Sequence, residues 1–62
     1  MGPKRLRHKV AKGVKQLRYV YGWTQAKLAK RSQISLRYIQ KIESKNPPDM
    51  TIDVLAKIAN AF

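Results

Sequence analysis

One local pattern occurs three times in this chain and constrains how it can fold. An apolar residue is followed by Ser or Thr, and four positions beyond the hydroxyl stands a second apolar residue. The copies are Trp23-Thr24…Leu28, Ile34-Ser35…Ile39 and Met50-Thr51…Leu55. Each hydroxyl oxygen stands where it can accept from the first free N–H groups of a helix. The apolar pair around it has the spacing of a hydrophobic staple. Each copy therefore predicts a helix start. Ahead of them Val10, Val14, Leu17 and Tyr21 recur every three or four residues, and Gly22 follows as a C-terminal stop. The chain reads as four helices and no strand.

The gaps between starts are informative. The helix begun at Thr24 must end near Arg31, because Ser35 already caps the next one. That leaves the turn Ser32-Gln33-Ile34, short enough to make two small helices cross steeply, as in a helix-turn-helix. Pro47 and Pro48 break the chain again before Thr51, since the residue before a proline is pushed out of helical geometry.

Charge then narrows the function. Fourteen Lys and Arg against three acids give a net charge of +11 over 62 residues. Such an excess points to nucleic acid first and to an anionic membrane second. A surface tuned only for solubility would mix both signs. Residues 1–8 read as a flexible basic arm, and residues 9–62 as the domain. There is no cysteine, and the lone His8 has no neighbours suited to metal binding. No Ser/His/Asp set or carboxylate pair is present, so the chain does not read as an enzyme and calls for no metal or cofactor. No apolar run approaches the roughly 20 residues that span a bilayer. The expected location is cytoplasmic.

The first acidic residue, Glu43, comes late and in an unexpected place. With Ile39 at the origin of a helical wheel of about 100° per residue, Ile42 and Ser35 fall within roughly 60° on one side and Glu43 at roughly 40° on the other. Arg37 and Lys41 lie on the far side, Gln40 and Ser44 at its edge, and Leu36 on the flank. One face suits a core. The other offers groups that can donate to the edges of guanine or adenine, or can simply be solvated. A carboxylate near the apolar face is costly unless paired. Arg18, at the edge of the first helix's inward stripe, could supply a bidentate partner. Alternatively Glu43 leans into solvent toward Lys45; the wheel leaves both open.

The stretch "WTQAKLAKRSQISLRYIQKIESKNPP" resembles the helix-turn-helix of the lambdoid phage repressor and Cro family of bacterial and phage regulators. The resemblance runs from about Val10 to Phe62. It rests on "VKQLR", Gly22, the "TQ-x-x-LA" of Thr24 to Ala29, the "I-x-x-IE" of Ile39 to Glu43, "NPP" and "LAKIANAF". It implies an all-α repressor-like DNA-binding domain in which Arg18 and Glu43 tie the first helix to the third. It places Ser35, Leu36, Arg37, Tyr38 and Lys41 near base edges. Gln25, Lys27, Gln40, Ser44, Lys45 and Asn46 would meet phosphates, Gln25 with help from the N-terminus of its helix. The implied function is transcriptional regulation, repressor-like, by sequence-specific binding of double-stranded DNA with the third helix in the major groove. The alternatives are an antitoxin of the same fold, with a protein toxin as partner, and more remotely a cationic membrane-active peptide.

Two positions depart from the family. Gln33 stands where a turn glycine is usual, so a left-handed backbone there would carry strain. The chain also ends at Phe62, where relatives usually add a fifth helix that often joins two copies, so the expected domain has four helices. With Leu28, Ile39, Leu55, Ile58 and Phe62 inside, little spare apolar surface is expected, and mutual repulsion favours a monomer in free solution that forms a homodimer only on DNA. Trp23 reads as a core residue rather than a base-stacking platform. Of Tyr19 and Tyr21, one is a candidate to line a phosphate.

Overall fold

The three hydroxyl caps act as their spacing predicts. In a computed structural model, which describes residues 3–62 with side chains from Leu6 onward, the chain forms α1 (Pro3–Tyr21), α2 (Gln25–Ser32), α3 (Leu36–Ile42) and α4 (Ile52–Ala61). Thr24, Ser35 and Thr51 each accept a hydrogen bond from the N–H three residues on, at 3.1, 3.1 and 3.2 Å. The preceding apolar residues, Trp23, Ile34 and Met50, all pack against the core. There is no strand among the described residues.

The turns between helices follow from two left-handed residues. Gly22 at φ 70 ends α1, with its N–H on the Tyr19 carbonyl at 3.0 Å and the Trp23 N–H on the Arg18 carbonyl at 2.9 Å. That double closure satisfies carbonyls the helix end would leave unpaired. Gln33 closes α2 in the same way at φ 60, ψ 34, and the Ile34 N–H reaches the Ala29 carbonyl at 3.1 Å. α2 runs through Ser32, one residue beyond the expected end, because the Ser32 hydroxyl is buried and donates to the Leu28 carbonyl at 2.7 Å. Gln33 thus holds a conformation that suits glycine. Gln33→Gly is expected to stabilise the fold by roughly 0.5–1 kcal/mol, the relief of left-handed strain exceeding the added freedom of the unfolded chain. A thermal melt should rise by roughly 4 °C. An unchanged or lower midpoint would show that the turn carries no such strain.

The core draws on all four helices: Ala11 and Val14, Leu28 and Ala29, Ile39 and Ile42, Ile58 and Ala61. Leu28, Ile39 and Ile42 are fully buried. Trp23 is half-buried and stacked on Phe62, ring centroids 4.9 Å apart and 12° from parallel, and Tyr21 meets both rings edge-on. The aromatic cluster holds the C-terminal ends of α1 and α4 together.

The expected inward stripe of α1 is rotated. Ala11, Val14 and Arg18 point inward, whereas Leu17 and Tyr21 are nearly half exposed. The turn toward Arg18 follows from its partners, described below. Leu55 is also only half-buried, on a cleft shared with Leu6, Val10 and Met50. The expectation of little spare apolar surface is therefore corrected: Leu6, Val20 and Ile52 are 66, 80 and 85% exposed.

The segment read as an arm, residues 1–8, is helical from Pro3 onward; Met1 and Gly2 lie outside the described residues. Proline is preorganised for the first helical position, and the Lys, Arg and Leu that follow are good helix formers. The first turns are also fastened to the loop before α4. Arg7 pairs with Asp49, and His8 Nε2 donates to the Lys45 carbonyl at 3.2 Å.

Candidate nucleic-acid interface

Glu43 is the junction of three helices. Arg18 Nε donates to Oε2 at 2.8 Å and Nη2 to Oε1 at 2.7 Å, a bidentate contact. The two side chains are only 9% and 2% exposed. Arg18 Nη1 donates to the Trp23 carbonyl at 2.8 Å, and Gln25 Nε2 donates to Glu43 Oε1 at 3.0 Å. One guanidinium therefore ties the end of α1, the entry to α2 and the end of α3 into a single unit. Of the two partners open from the sequence, Arg18 holds the carboxylate. Burial works to raise the Glu43 pKa, but hydrogen bonds from Arg18 and Gln25 and the charges of Arg18 and Lys15 outweigh it, so the carboxyl lies below its ordinary value. The Glu43 hydrogen bond raises Arg18, with burial opposing.

With Ile39 and Ile42 inward and Glu43 fixed, the opposite face of α3 is presented to solvent. Arg37, Gln40 and Lys41 are exposed, and Leu36 is 42% exposed. Ser35 is exposed at the helix start, its oxygen occupied as the cap. Tyr38 differs from its reading as a simple base contact. It is half-buried and packs on the core, leaving only part of its side chain toward the outer face.

The expected phosphate contacts divide in two groups. At the start of α2, Lys27 is exposed and Gln25 is half-buried, with its amide N–H already given to Glu43. The first helical bond of α2 runs from the Leu28 N–H to the Thr24 carbonyl at 3.1 Å, so the N–H groups of Gln25 and Ala26 precede the ladder. No acid stands in that first turn. Beyond α3, Ser44, Lys45 and Asn46 are exposed in the loop, although the Ser44 hydroxyl donates to the Lys41 carbonyl at 2.6 Å. The structure thus brings Gln25 to the Glu43 junction at the end of α3, whereas Lys27 lines a cleft with Lys30, Arg31, Asn60 and Ala61.

The electrostatics are one-sided. All three acids are engaged: Glu43 with Arg18, Asp49 with Arg7, and Asp53 with Lys57 at 3.8 Å. Among the described residues no carboxylate lies at ion-pair distance from Lys27, Arg37, Lys41 or Lys45. Two other contacts involve cations and rings. Arg31 sits over Trp23 at 5.3 Å, which places that ring in the fold rather than on a base, and Arg18 sits over the exposed Tyr19 at 4.7 Å. Sequence reasoning missed two donors and acceptors of the junction, Gln25 and the Trp23 carbonyl. The position of Gln25 immediately after the Thr24 cap was the available signal.

No group of His, Asp or Glu among the described residues could hold a metal ion, and no helix there is long and apolar enough to cross a membrane. No curated protein and no solved structure matches the chain. A family model does: residues 14–62 match the helix-turn-helix model HTH_3, from the core valine of α1 to the last residue. The match covers the turn, the capped helices and the ion-pair junction. This chain belongs to the HTH_3 family of helix-turn-helix proteins, the Cro/C1 type that includes the lambdoid repressors, and is a sequence-specific DNA-binding regulator.

Proposed function

We propose that the chain acts as a repressor-like transcription regulator that inserts α3 into the major groove of its operator. The observation that carries this reading is the Arg18–Glu43 junction, which fixes α3 so that Arg37, Gln40 and Lys41 face outward. Arg37 and Lys41 donate to guanine edges, and Ser35, Leu36 and Tyr38 add hydroxyl or apolar contacts, for instance to a thymine methyl. Gln25 and Lys27 at the start of α2, with Gln40, Ser44, Lys45 and Asn46, position the protein on phosphates. The helix N-terminus adds two free N–H groups to that anion site.

α3 has seven residues and is about 10 Å long, enough to cover only about three base pairs. Useful specificity then requires two copies on half-sites about one helical turn apart. DNA phosphates screen the repulsion between two chains of +11, and the exposed Leu6, Leu17, Val20 and Ile52 supply apolar surface for pairing. The chain would then reside with the nucleoid or phage DNA.

Selection of duplexes from a random pool tests the reading. The expected product is a short motif, occurring as two copies at a fixed spacing of about one turn. Recovery of duplexes with no shared motif would reject sequence-specific reading.

A further inference from the structure

We propose that Lys12 and Lys15 of α1 form a third contact to DNA backbone phosphates, beside the α3–α4 loop. The inference rests on the DNA-binding reading above and adds a contact that neither α2 nor the loop provides. Its first support is position. The Arg7–Asp49 pair and the His8 hydrogen bond to the Lys45 carbonyl clamp the first half of α1 against the loop that carries Ser44, Lys45 and Asn46. Between them lies a cleft with His8, Lys12 and Lys15 on one wall and Ile42, Glu43 and Ser44 on the other. The lysines therefore stand next to the end of α3, on the side where the loop approaches the DNA backbone.

The second support is charge. Lys12 and Lys15 are one turn apart on one face of α1 and both are exposed. Neither lies at ion-pair distance from a carboxylate among the described residues. The carboxylate at the cleft, Glu43, already accepts three hydrogen bonds from Arg18 and Gln25. Like charges at this spacing weaken an isolated helix. A polyanion lying across the cleft removes that repulsion, and two cations one turn apart can meet successive phosphates of a single strand.

The test is the salt dependence of duplex binding by K12Q/K15Q, with K57Q as a control on α4. Loss of two phosphate contacts should make the plot of log affinity against log salt shallower by roughly 1.8. Affinity at low salt should fall by about tenfold on selected and random duplexes alike. K57Q should leave the slope nearly unchanged, and K12R/K15R should retain it. Glutamine is a good helix former, so the melting temperature should hold. If the unmodified chain binds with a steep slope and K12Q/K15Q keeps it, the lysine contact alone is overturned. If the unmodified chain binds no duplex, the contact falls together with the reading on which it rests.

Discussion

Glu43→Ala should cost the folded state about 3 kcal/mol, because it leaves the Arg18 guanidinium buried without its counter-charge. Against a total stability of roughly 3–9 kcal/mol for a domain this small, that loss is enough to unfold much of the population. The informative comparison is therefore a cycle. Arg18→Met should be similarly harmful, since it strands the carboxylate and frees the Trp23 carbonyl. The double variant Arg18→Met/Glu43→Leu should recover most of the loss, because a packed apolar pair needs no desolvated charges. Denaturant melts of the four proteins check this, and losses that simply add would contradict the buried pair. The lowered Glu43 pKa fixes the pH dependence. Its contribution is present above the unfolded carboxyl value of about 4.3 and disappears as pH falls through the lower folded value. Glu43→Gln should flatten that acid limb.

Arg37→Ala should affect DNA reading and leave folding intact. The side chain is exposed on α3, so its removal costs little stability. On the preferred operator it should cost about 1–3 kcal/mol and relax the choice at particular base pairs. Lys45→Ala should weaken all duplexes about equally and make the salt slope shallower by about one contact. Affinities of both variants on the preferred site and on its single-base substitutions separate the two roles. Equal loss on preferred and random duplexes by Arg37→Ala would remove it from the readers.

The helix starts were legible because capping is local: Thr24, Ser35 and Thr51 act on N–H groups three residues away. The left-handed turn at Gln33 was legible only through the resemblance, whose usual turn glycine falls at that position. Rotation of α1 was not legible. Leu17 and Tyr21 satisfy the helical period as well as Ala11 and Arg18 do. Only the distant Glu43 and the Trp23 carbonyl decide that a guanidinium turns inward. The fastening of the first turns of α1 was likewise not legible, since the partners of Arg7 and His8, Asp49 and Lys45, lie about forty positions away. The resemblance placed Tyr38 near base edges, whereas its packing against the core half-buries it. Long-range partners, invisible to a period, account for each miss.

The claim that the outer face of α3 meets DNA is tested most directly by mapping backbone amide shifts as a duplex carrying the selected motif is added. The shifts should concentrate in Gln25–Lys27 and Ser35–Asn46, with weaker effects at Lys12 and Lys15, and the middle of α4 from Asp53 to Ala59 should stay still. A response centred instead on Leu6, Leu17, Val20 and Ile52, with α3 unperturbed, would contradict the account.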